Sequence, residues 1–125
     1  MLLHVAFGDF QVTTYAADVE ARTIGARVHQ PALAPGRSTD VEPYWGIPAV
    51  DGYPFDGSAM VVWDSGTPAP PLTNTPPRDG RDPHEDPRFD AAARRQKSEF
   101  LRTGGVLIDV CDGAPCTAAP VDTDY

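Results

Sequence analysis

No apolar run in the sequence approaches the roughly 20 residues that a membrane-spanning helix requires, so no transmembrane segment is expected. No basic run is present either. With a net charge of −8 and a pI near 4.6, the chain lacks the basic patch on which sequence-independent binding to nucleic acid or anionic lipid relies. The first residues carry no positive segment of the kind that opens a signal peptide, and cleavage there would remove the best strand of the chain. Internal repeats are absent. Cysteine is scarce, with only Cys111 and Cys116, separated by Asp-Gly-Ala-Pro. That turn-rich spacer can bring the sulfurs together in a small disulfide loop, which would imply an extracytoplasmic or secreted setting. Two reduced surface thiols are the other reading, and a zinc site would need two more ligands that the neighbouring sequence lacks.

What is present in quantity is proline and glycine, 14 and 11 of 125 residues. They leave room for one small domain with a small core, expected over residues 1–116, with residues 117–125 as a flexible tail. Leu2 to Phe7 is apolar nearly throughout, as in a strand covered on both faces of a parallel sheet, and Gly8 breaks it. Ligands bind beyond the carboxyl ends of such strands, which places Asp9 where chemistry is usually sited. A strand at the very start suggests that the boundary cuts into a larger architecture, or that another chain supplies missing strands.

A helix is expected over Thr13–Ala26. Val12, Ala16, Val19 and Thr23, with Ala17, Ala21 and Ile24 beside them, form its apolar face. Thr13 or Thr14 caps its start and Gly25 ends it. Residues 27–57 form a long proline-rich connection holding Tyr44, Trp45, Tyr53 and Phe55, aromatic residues that either line a pocket or pack the loop onto the core. Ala59–Asp64 reads as the second strand. A second irregular segment leads to a helix with Asp86 as N-cap and Pro87 as its first residue. Phe89, Ala93, Gln96, Phe100 and Leu101 would face inward, and Gly104 and Gly105 would stop it. Val106–Val110 is a candidate short strand. His4 reads as packed, and His29 carries no functional signal. The acidic loop of Asp79, Asp82, Glu85, Asp86 and Asp90 lacks the spacing of an EF-hand, so neither metal nor cofactor is expected.

Asp9 and His84 both fall past the end of a strand and close to a helix start, so adjacent parallel strands would bring them together. A carboxylate in that position can hold an imidazole in one tautomer while the other ring nitrogen takes a proton.

Four stretches carry a resemblance: Leu2 to Val12, Val19 to Ala26, Asp-Pro-His-Glu-Asp-Pro-Arg from Asp82 to Arg88, and Glu-Phe-Leu-Arg-Thr-Gly-Gly from Glu99 to Gly105. Together with the closing Cys-Asp-Gly-Ala-Pro-Cys loop, they resemble the C-terminal third of an α/β-hydrolase, and more narrowly the end of large bacterial hydrolase-like proteins. The resemblance implies an α/β fold built on a partial hydrolase sheet, two or three mostly parallel strands with two main helices and long proline-rich loops. It implies Asp9 as triad acid and His84 as triad base, in the chain order nucleophile, acid, histidine. The substrate would be an ester or related acyl compound, with Tyr44, Trp45, Tyr53 and Phe55 as its wall. No Gly-x-Ser-x-Gly elbow is present, so the nucleophile would come from another segment or chain. The alternative is a non-catalytic module of the same ancestry that self-associates or binds a partner through unpaired strands.

Overall fold

The computed structural model describes residues 1–122. Its centre is a strand, β3 (Ala59–Asp64), in which the first five residues are fully buried. β1 (Leu2–Ala6) runs parallel along one side of it, from Leu2 opposite Ala59 to Ala6 opposite Trp63. The other side is shared by two short parallel strands, β2 (Arg27–Val28) against its first half and β4 (Cys116–Thr117) against its second.

Side chains of a strand alternate between faces, and both faces of this sheet are covered. Met60 and Val62 of β3 pack with Leu3, Val5 and Phe7 against α1 (Thr14–Ile24). Ala59, Val61 and Trp63 pack on the opposite face with Leu2, Leu107 and Ala93 of α3 (Ala91–Leu101). Burying each of these larger side chains contributes about 1.5–3 kcal/mol, which makes β3 the strand on which the fold depends. The result is a small open parallel sheet between helices, an α/β fold. Among the described residues, no helix is long and apolar enough to cross a membrane.

α1 starts and stops on the expected chemistry. The Thr13 hydroxyl accepts from the Ala16 N–H, and Gly25 closes the helix in the left-handed conformation. Its inner face is narrower than the sequence pattern suggests. Ala17 and Ala21 are buried, whereas Val12 and Val19 are 50% and 43% exposed. Small residues bring the helix close to the sheet, so the larger ones at its sides stay in water.

Several expectations are corrected at the second helix. It is two helices, α2 (Asp86–Phe89) and α3, and the break falls at Asp90. Asp90, in extended conformation, caps α3 by accepting from the N–H groups of Ala92 and Ala93. Asp86 is not the cap: its buried carboxylate pairs with Arg81 and accepts from the Val121 N–H. Because Asp90 resets the helix phase, Phe89 and Leu101 turn outward, while Ala93 and Gln96 are buried.

Residues 106–110 do not form a strand. Leu107 makes a single antiparallel bridge to Phe55, and the last strand is β4 instead. The chain beyond Cys116 is tied down rather than frayed. Thr117 lies in β4, Ala118 is buried with its N–H on the Asp64 carbonyl, and Val121 is held by Asp86. The remainder of the expected tail, 123–125, lies outside the described residues. Cys111 and Cys116 are joined in a disulfide.

Candidate active site

At the carboxyl end of β1 the backbone turns sharply. Gly8 has φ +86, and a Cβ there would sit 2.7 Å from the Thr67 hydroxyl, which itself donates to the Phe7 carbonyl. Only glycine fits that turn. The next residue, Asp9, is 5% exposed and fully engaged. Its Oδ1 accepts from the N–H groups of Gln11 and Val12 at 2.7 and 3.0 Å, and its Oδ2 accepts from His84 Nδ1 at 2.8 Å. The two residues, 75 positions apart in sequence, therefore meet as the sequence suggests.

A second carboxylate fixes the meeting. Asp82 accepts from the N–H groups of Phe10 and His84, both at 3.1 Å, and from the Gln11 side-chain amide at 3.0 Å. It thereby staples the acid turn to the histidine turn. Burial works against its charge, but these hydrogen bonds outweigh burial and hold its carboxyl below the usual range. In the sequence Asp82 is one of several acidic-loop residues, and its Asp-x-His spacing, which lets a carboxylate accept from the backbone N–H two residues on, is the local signal for this role.

The neighbours of His84 assign its hydrogen. Asp9 Oδ2 can only accept, so Nδ1 carries the proton, and Arg88 can only donate, so Nε2 presents its lone pair to Arg88 Nη2 at 3.1 Å. Arg88 is itself anchored by Glu85, Nη1 to Oε1 at 2.9 Å. An imidazole held this way is oriented, with the lone pair of its outward nitrogen turned toward Arg88. Among the described residues, no hydroxyl or thiol bonds to His84. Of the four serines, Ser38 accepts from the Asp40 N–H, Ser58 bonds the N-terminal amine, and the buried Ser65 hydroxyl beside Asp64 has no partner; Ser98 lies on α3.

The pair opens into a groove of about 290 Å³ floored by β1, with Asp9, His84 and Arg88 contributing to its wall together with Glu20 and Lys97. Parallel pairing directs alternate backbone groups to alternate sides. The Met1 carbonyl and Phe7 N–H bond to β3, so the backbone groups of Leu2 and His4 and the Ala6 N–H face the groove, while the Ala6 carbonyl accepts from the Asp9 N–H at 3.2 Å. His4 is packed, as expected. Its Nε2 meets the Gln96 side chain at 2.7 Å, and burial pushes its pKa down to about 4.

The four aromatic residues expected as a substrate wall do not gather. Tyr44 packs on the α1 face of the sheet, whereas Tyr53 and Phe55 pack on the α3 face. Trp45 is 66% exposed, and its carbonyl accepts from Arg22. Between them the chain runs along the outer edge of β2, where Ala49 bridges Val28, and this separates residues close in sequence. Tyr53 instead bonds to Nδ1 of His29, a fully buried residue whose Nε2 donates to the Ala114 carbonyl at 2.9 Å. His29 thus ties the first long loop to the disulfide loop, a structural role that no local signal announced. It lies within 4.8 Å of both sulfurs, but these are bonded to each other and offer no thiolate. In the acidic loop Asp82, Glu85, Asp86 and Asp90 each have a protein partner described above.

No family model matches the chain, and no curated protein or solved structure matches it.

Proposed function

We propose that this chain supplies the acid and the histidine of a serine α/β-hydrolase acting on an ester or related acyl substrate. The nucleophile is carried by another segment or chain. The contact between Asp9 and His84 at 2.8 Å, with the outward nitrogen unprotonated, carries this reading. In the reaction His84 Nε2 takes the proton of the serine hydroxyl as its oxygen attacks the acyl carbon. Asp9 stabilises the imidazolium that forms, and His84 then returns the proton to the departing alkoxide. Water, deprotonated by the same nitrogen, releases the acid. The serine-bearing segment would add alongside β1, whose free backbone groups face the same groove. Arg88 must leave Nε2 for the serine to reach it.

Two measurements on the isolated chain test this. A fluorophosphonate probe should leave no label, because the serine is elsewhere. An activated ester such as p-nitrophenyl acetate should be hydrolysed slowly, more slowly still by His84→Ala, and faster by Arg88→Ala. A labelled serine, or equal rates for the chain and His84→Ala, would overturn the proposal.

The second reading is a non-catalytic module that self-associates, favoured by the backbone groups of Leu2 and His4 and the Ala6 N–H, which point away from β3 along the outer edge of β1. Light scattering separates the two, since a stable monomer at all concentrations counts against this reading.

A further inference from the structure

The sequence around Cys111 and Cys116 offers no further zinc ligand, but the fold brings one from far away. β2 and β4 follow one another along the same side of β3. His29, the residue after β2, is held there by its own N–H, which donates to the Met60 carbonyl at 2.9 Å, and Cys116 opens β4 opposite Trp63. A ring nitrogen of His29 and the two sulfurs therefore lie within 4.8 Å of one another. Nε2 faces the disulfide loop, because it donates to the carbonyl of Ala114 inside that loop, 85 positions further on. His29 and Cys116 are fully buried, whereas Cys111 is partly exposed.

Reduction changes what this cluster can do. A dithiol that reaches the Cys111 sulfur opens the bond by exchange, is itself oxidised to a cyclic disulfide, and leaves two thiols on the chain. Pairing with β3 holds His29 and Cys116, and the Asp109 carboxylate accepts from the Cys111 N–H at 2.9 Å. None of these supports is the sulfur–sulfur bond. Two thiolates and an imidazole form a donor set that suits Zn²⁺, with the fourth tetrahedral position left to water. On binding, both thiols release their protons to solvent. The ring hydrogen of His29 passes from Nε2 to Nδ1, where the Tyr53 oxygen accepts it, so Tyr53 orients the ligand.

We infer that His29, Cys111 and Cys116 form a redox-gated zinc site, closed while the disulfide stands and opened when a dithiol reduces it. The inference does not depend on the hydrolase reading. The test is to reduce the chain with dithiothreitol, desalt it without oxygen, and titrate it with zinc chloride and, in parallel, cobalt chloride. The reduced chain should take up one zinc ion with a Kd of about micromolar or tighter, and cobalt should give the thiolate charge-transfer absorption of a tetrahedral site. The oxidised chain should show neither. X-ray absorption at the zinc edge should fit two sulfurs at about 2.3 Å and one imidazole nitrogen at about 2.0 Å. Cys111→Ser should weaken binding by roughly 100-fold or more, and Tyr53→Phe by about ten-fold. An amide spectrum that stays dispersed after reduction verifies that the chain is folded. A spectrum that collapses on reduction, equal zinc affinity in the oxidised chain or in Cys111→Ser, or an absorption edge without sulfur or imidazole neighbours would each overturn the inference.

Discussion

β1 and β3 are neighbours in one parallel sheet, and the chain leaving each presents a carboxylate near the same end, yet the two acids are put to different use. Asp64, at the end of β3, is clamped by Arg37 through two bonds of 2.6 and 2.8 Å, and Arg37 also donates to the Thr67 carbonyl. Burial disfavours its charge, but Arg37 and the Gly66 N–H prevail, and its pKa is lowered. Asp9, one strand over, meets an imidazole instead. A guanidinium never gives up its proton, so the Asp64 pair can only hold loops together. An imidazole can release or take up a proton where a guanidinium cannot, and the proposed hydrolysis draws on that difference. Asp18 is the third case, a half-buried carboxylate with one oxygen unpartnered. What distinguishes the three is the partner, not the acid.

Removing the acid in each case sharpens this contrast. Asp64→Asn should cost the most, about 2 kcal/mol in urea unfolding, because it weakens the two charge-assisted bonds that hold the partly exposed Arg37 guanidinium to the end of β3. Asp18→Asn should act in the opposite direction, stabilising the protein by about 1–2 kcal/mol at pH 7, allowing for its partial exposure. The sign follows from the pKa, which burial raises: the native state holds its proton up to about 6 while the unfolded chain loses it near 3.8, so stability falls as pH rises between those values. The gain from Asp18→Asn should therefore vanish by about pH 4 in unfolding curves recorded across pH. Asp9→Asn should be mildest, about 1 kcal/mol, since an amide oxygen still accepts from the Gln11 and Val12 N–H groups.

The parts of this architecture that are readable in the sequence are those with local chemistry. The apolar run of β1, the turn at Gly8, the Thr13 and Gly25 ends of α1 and the apolar β3 each follow from their own residues. The positions of Asp9 and His84 past strand ends follow with them. What is not readable depends on distant partners. β2 and β4 are two residues long, too short for any period, and exist because β3 offers backbone groups to them. Asp86-Pro87 looks as good a helix start as Asp90, and only the pull of Arg81 and Val121 on Asp86 decides between them. The aromatic residues of the long loop are close in sequence but divided between the two faces of the sheet, and no composition signal foretells that.

The proposed roles of Asp9 and His84 as acid and base stand or fall on where the imidazole keeps its hydrogen, and nitrogen-15 spectra of the histidine rings read that directly. For His84 at a pH where it is neutral, the spectrum should show a single form protonated at Nδ1, which Asp9→Asn abolishes. A ring protonated at Nε2, or one averaging between both forms and unchanged by Asp9→Asn, would contradict it.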